Sequence, residues 1–169
     1  MSRTVPRAVV WLLGGLLVVV VAAAAVLAVV RTSGRHAGAA ELTAAENAAV
    51  SAARQEAINI QTYRRSNFDA DFQAALNGLT VTKQTQWEAN KATLKAQLDS
   101  QKIDSAATVS GAGLVSFSGN TAVVVVASDT QRVDAKGKTT TTAQNRFQIT
   151  MKLVNGKWLM DDLESVSIS

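Results

Sequence analysis

The sequence predicts an α+β domain behind a membrane-spanning helix: about three helices packed on a curved, four-stranded antiparallel sheet. Three observations predict it. Residues 8–30 carry no charge at all. Residues 41–102 place apolar side chains at helical spacing, with period 3.6. From about residue 105 to 168 the period falls to two, and turn signals divide the chain into four runs. Helices first and strands afterwards is the order of an α+β layer pair.

The apolar run comes first in the chain. Its 23 residues, mostly Val, Leu and Ala, span roughly 34 Å as a helix, against roughly 30 Å of hydrocarbon in a bilayer. A secretory signal core is shorter, so we read an uncleaved anchor, although Ala24, Ala25 and Ala28 offer small residues for a peptidase. Gly14, Gly15, Ala24 and Ala28 read as small filler in that helix. Trp11 suits the membrane interface. Residues 1–7, with Arg3 and Arg7, form a short basic tail. Arg31 and Arg35 follow the span, so the positive charges are nearly balanced across it. The basic tail before a long apolar run resembles a signal-anchor, which puts the tail in the cytoplasm and the C-terminal domain outside. Residues 31–40 are small, polar and glycine-containing, a linker that carries the lone His36 as a solvated residue.

In residues 41–169, 13 acidic residues face 13 basic ones, so the excess of +4 resides in the membrane flanks. A nucleic-acid partner is not expected, because the folded part has no basic stripe. There is no Cys, so an exported domain must be held by packing alone.

In the domain, Thr43 and Glu46 match a capping box. Leu42, Ala45, Ala49, Ala53, Ala57 and Ile60 then follow at helical spacing, small enough for close approach to a neighbour. A second helix is capped by Ser66 or Asn67. It carries Phe68, Phe72, Ala75, Leu76 and Leu79 on one stripe, with Asp69 and Asp71 in the first turn. Asn77 and Gly78 supply its stop. A third helix is predicted over 80–102, with Trp87, Leu94 and Leu98 inward. The first strand covers 107–117, alternating through Val109, Val115 and Phe117. A turn at Gly119 and Asn120 leads to the β-branched run 121–127, read as a central strand covered on both faces. A second turn lies at 134–137. Phe147, Ile149, Met151 and Leu153 then alternate with Gln148, Thr150 and Lys152. Asn155-Gly156 is the strongest hairpin signal. Trp158 and Met160 share one face of the last strand, which Val166 and Ile168 extend.

Three stretches carry a family resemblance: residues 52–63 continuing through Asn67, Phe68, Asp69 and Asp71; the helix around Trp87; and Gly156, Lys157, Trp158 and the residues to Leu163. With the single N-terminal span they resemble the Mce-associated membrane proteins of actinobacteria. The element order resembles the nuclear-transport-factor-two-like cone. The resemblance implies an accessory, scaffolding subunit of an Mce-type lipid or sterol import complex. Its partners would be the permease and the exported Mce subunits, contacted by protein-protein docking beside the lipid bilayer. It transfers no individual functional residue.

Chemistry is sparse. Tyr63, Asp69, Asp71, Asp161 and Asp162 are the polar candidates for acid-base work in a cone. Asp69 and Asp71 already have a role at a helix start, and Asp161 and Asp162 are expected in solvent after a strand. Tyr63 reads most simply as a buried ring. Gly137-Lys138-Thr139 lacks the glycine a phosphate loop needs, since position 132 is Arg132. Gly111 and Gly113 read as a bend in a strand. No catalytic, metal or cofactor site is expected. Tyr63, Trp87 and Trp158 are the candidate ligand- or partner-facing residues, although core filling is the simpler role for both indoles. The rival function is a cone that binds a small lipid-like ligand, or an acid-base enzyme.

Overall fold

The computed structural model describes residues 41–166, apart from the side chains of residues 140–142. The expected tail, membrane span and linker (1–7, 8–30 and 31–40), with Trp11 and His36, lie outside the described residues, as does Ile168. Among the described residues no helix is long and apolar enough to cross a membrane.

The unit that begins at Leu42 has four α-helices followed by four strands. Helix α1 spans Ala44–Asn59, α2 Phe68–Leu76, α3 Val81–Glu88 and α4 Lys91–Gln101. Strands β1 Ile103–Ser118, β2 Thr121–Asp134, β3 Thr139–Val154 and β4 Lys157–Ser165 form one antiparallel meander in the order β1-β2-β3-β4. The α+β reading and the four strands are borne out.

Helix α1 begins as its sequence requires. The Thr43 hydroxyl accepts the Glu46 amide, and the Glu46 carboxylate accepts the Thr43 amide at 2.7 Å. Ala49, Ala53 and Ala57 are fully buried. A row of methyl groups lets the helix backbone lie close to the sheet, where larger residues would hold it off. Its neighbours are all four strands, β1 and β2 above all.

The start of α2 corrects the expected cap. Asn67 occupies the N-cap position, as expected, but its side chain makes no capping hydrogen bond; a 3-10 turn, Arg65–Asn67, leads in, and the Asn67 amide donates to Asp71 Oδ1 at 3.0 Å instead. The stripe of Phe68, Phe72, Ala75, Leu76 and Leu79 is buried as its spacing implies. The rings of Phe68 and Phe72 stack at 5.7 Å. Burial of each such side chain stabilises the fold by about 1.5–3 kcal/mol.

The single helix expected over 80–102 is two helices. The break falls at Ala89 and Asn90, where the Asn90 side chain donates to the Gln86 carbonyl at 2.9 Å. An asparagine that bonds backbone locally competes with helix continuation. Helix α4 ends on Lys102 in the left-handed region.

The links after α1 and α2 each add a rung to a sheet edge. Tyr63 exchanges backbone hydrogen bonds with Ser105 of β1, both at 2.9 Å. At the opposite edge, the Met160 amide donates to Gly78 and the Thr80 amide to Met160. Helical layer and sheet are therefore joined by backbone bonds as well as by packing.

Within the sheet, Ala122, Val124, Val126 and Ser128 of β2 are buried against the helices. Val123, Val125 and Ala127 point the other way and are half-exposed. This corrects the reading of residues 121–127 as covered on both faces: a Val run is compatible with either, because valine suits any pleated position. Register shifts interrupt β1 between Val109 and Gly111 and between Leu114 and Ser116. The second leaves Val115 exposed on a bulge, out of phase with Phe117, so the expected simple alternation of β1 fails there. Strand β3 alternates as expected, with Ile149 and Met151 fully buried. Asn155 and Gly156 both have positive φ, 50° and 79°, the geometry a two-residue hairpin demands. Val166 extends the last pairing through its amide to the Arg146 carbonyl.

Candidate functional site

The three aromatic candidates do not meet at one place. Tyr63, on the link after α1, is buried beside Phe68 and Phe72. Its hydroxyl accepts the indole N–H of Trp87, from α3, at 3.1 Å. Burial pushes the phenol up to about 12, against the counteracting Trp87 hydrogen bond. This pair pins α3 to the core. Trp158, at the start of β4, packs instead on Phe117, with ring centroids 5.8 Å apart.

The four aspartate candidates are each paired with a cation. Asp71 is buried and takes a bidentate contact from the Arg64 guanidinium, with the Arg64 amide at 2.8 Å and the Asn67 amide beside it. These bonds hold its carboxyl below the usual carboxylate range, the Arg64 hydrogen bond most of all. Asp69 pairs with Lys91 at 2.7 Å. Asp161 and Asp162 lie within β4 rather than beyond it; the Asp161 side chain is largely covered, which corrects the expectation that it faces solvent, whereas that of Asp162 is about half exposed. Asp161 accepts from Lys152 at 2.7 Å and from the Thr80 hydroxyl at 3.0 Å; Asp162 pairs with Lys83 at 2.7 Å. The sequence hid these pairs because their partners lie on other strands and helices.

A polar cluster centred on Gln61 closes one part of the interior. Its side-chain oxygen accepts from Thr130 at 2.8 Å and Asn145 at 3.1 Å, while its amide reaches Ser128 at 3.2 Å. The hydrogen bonds are mutually satisfied, and the cluster ties the end of α1 to β2 and β3.

The least expected group is Glu56. It is 3% exposed, on the buried side of α1. Its Oε2 accepts from Asn59 at 3.1 Å, while Oε1 is buried with no hydrogen-bond partner. Desolvation drives its carboxyl up to about 8. Gly78 lies directly against it: a Cβ there would stand 1.7 Å from Oε2. The helix stops at Asn77 and Gly78 as expected, but Gly78 has no positive φ, so the glycine serves the close approach of Glu56. Glu56 lines a cleft of about 240 Å³, together with Gln55 and Asn59 of α1, Asn77, Lys157 and Trp158. Position 56 follows Ala53 by three and Ala49 by seven, the spacing of the buried face, and that was the available sequence signal.

Among the described residues no group of His, Cys, Asp and Glu could hold a metal ion.

The fold has solved counterparts. A periplasmic fragment of TraM superposes with a TM-score of 0.61 at 12% identity, over 75% of this chain and all of that one. The periplasmic domain of DotI gives 0.60 at 15% identity, over 78% of this chain and all of the other. CagV, a VirB8 homolog of the type IV secretion system of Helicobacter pylori strain 26695, gives 0.59 at 11% identity, over 73% and 100%. At these identities the likeness establishes a shared α+β fold. No protein-family model matches the chain, and no curated protein matches it by sequence.

Proposed function

We propose that the chain is a membrane-anchored accessory subunit whose extracytoplasmic domain scaffolds a multi-protein envelope complex through protein contacts. One observation carries this reading: the domain has the fold of the periplasmic domains of TraM and DotI and of CagV, a type IV secretion component. An N-terminal apolar run of 23 residues ahead of such a domain fits the same plan. The engagement of the polar candidates supports docking over catalysis, because the Tyr63 hydroxyl is occupied by Trp87 and each aspartate candidate pairs with a cation. The resemblance carried by residues 52–63 and 67–71, the helix around Trp87 and residues 156–163 points to an Mce-type lipid or sterol importer as the specific complex. The sheet face opposite the helices, with Val123 and Val125 half-exposed, offers the docking surface.

The test is affinity purification of the tagged full-length protein from its native membranes in mild detergent, followed by mass spectrometry. Recovery of a permease, an ATPase and exported Mce subunits is expected. Recovery of the protein alone, in a detergent that keeps the transporter intact, would overturn the Mce assignment.

A further inference from the structure

We propose that the Glu56 cleft binds a small zwitterion, its ammonium pairing with the Glu56 carboxylate and its anionic group resting against Lys157. The site is separate from the scaffolding role and does not depend on it.

Three features of the cleft point there. The first is an unsatisfied acceptor. Glu56 Oε1 is buried without a partner, and a native protein rarely leaves such an atom bare. The second is room beside it, the cleft of about 240 Å³ in which Glu56 is one of the walls. Gly78 contributes by omission, since any larger residue would displace the carboxyl. The third is the charge pattern. Lys157, on β4, stands at the same cleft and makes no ion pair among the described residues; its one hydrogen bond is a long 3.4 Å contact to the Asn77 carbonyl.

These features select the ligand. A simple cation would satisfy Glu56 and be repelled by Lys157. A simple anion would meet the reverse difficulty. A molecule with an ammonium and an anionic group a few bonds apart satisfies both. The indole of Trp158, another wall, packs on the methylenes between them. Phosphoethanolamine has this chemistry, either free or as the headgroup of a lipid. Phosphocholine shares its shape and charges, but its quaternary nitrogen has no N–H to donate.

The raised carboxyl of Glu56 adds a signature. The other groups acting on it are the Asn59 amide on α1 and Lys157 on β4, with the Tyr63 hydroxyl near enough to feel its charge; the α2 side of the cleft brings the uncharged Ala74, Asn77 and Gly78. An incoming ammonium favours the ionised form, so binding near pH 7 expels a proton from Glu56.

The experiment is calorimetry on the full-length protein in a maltoside detergent, titrated with phosphoethanolamine and then phosphocholine, in buffers of different ionisation enthalpy. Phosphoethanolamine is expected to bind at least about tenfold more tightly than phosphocholine, with close to one proton released, the scale of one hydrogen bond to a charged group. Glu56→Gln should weaken it by about tenfold or more and abolish proton release; Lys157→Ala, at an exposed position, should weaken it several-fold with the fold intact. Competition from bilayers containing phosphatidylethanolamine, and none from phosphatidylcholine alone, would assign a lipid source. Binding of the free compound without that competition would assign a soluble zwitterion. Absence of binding, equal affinity for phosphocholine, or indifference to both substitutions would overturn the proposal.

Discussion

At the scale of single residues, the informative contact is between Glu56 and Gly78. Gly78→Ala puts a methyl into the space of the carboxyl, and we expect a loss of about 1–3 kcal/mol in urea unfolding of the domain. Combining it with Glu56→Ala should recover much of that loss, because the clash is then gone; additive losses would contradict the assignment. Glu56 also sets a pH dependence. Its folded carboxyl titrates at about 8 and its ordinary value is 4.5, so between these values the folded state holds a proton that the unfolded state has lost. Stability must therefore fall as pH rises through this window, and level off above it. The full effect is on the order of a few kcal/mol. Unfolding measured from pH 5 to 9 should show that slope, and Glu56→Gln should flatten it. Tyr63→Phe removes only the acceptor of the Trp87 N–H, and a melting curve should register about 1 kcal/mol.

The elements show where sequence periodicity succeeds and where it fails. Helix α1 was legible because its capping box and alanine row are local. That row also makes a prediction. Ala53→Leu adds three carbons at a fully buried contact and should destabilise the domain by about 1–3 kcal/mol or more, whereas the same change at the exposed Ala48 should be nearly silent. Denaturation of the two variants side by side checks this. The hairpin at Asn155-Gly156 was equally legible, since few residues tolerate two consecutive positive φ angles. The helix expected over 80–102 failed for the opposite reason. Nothing local except Asn90 marks the break, and Trp87, Leu94 and Leu98 keep one helical phase through it. In β1 the bulges reassign Val115 to solvent, and a bulge is invisible to a period of two.

At the scale of the domain, the helices cover one face of the sheet, and among the described residues the other is half-exposed around Val123 and Val125. If that face docks a partner, Val125→Lys should reduce co-purification of the complex severalfold while changing stability by less than about 1 kcal/mol, as surface substitutions do. Loss of folding, seen by circular dichroism, would instead assign Val125 to the domain's own stability. The ion pairs follow the same division. Arg64–Asp71 is local in sequence, but Lys83–Asp162 and Arg65–Asp104 join residues far apart in the chain.

By itself the sequence determined the 23-residue apolar run, the α-then-β order, the two-residue turns, the buried stripe of α2 and the buried row Ala49, Ala53 and Ala57 of α1, although Ala45, read as part of that row, is exposed. Each rests on periodicity, charge or turn chemistry within a few residues, where covalent geometry limits the choices. Only the tertiary structure decided that Tyr63 meets Trp87, that Trp158 stands apart from them, and that Asp161 and Asp162 are engaged rather than solvated. It also decided that Glu56 is buried against Gly78. These depend on contacts mostly between residues far apart in the chain, which the packing of helices on a sheet sets and no local pattern encodes.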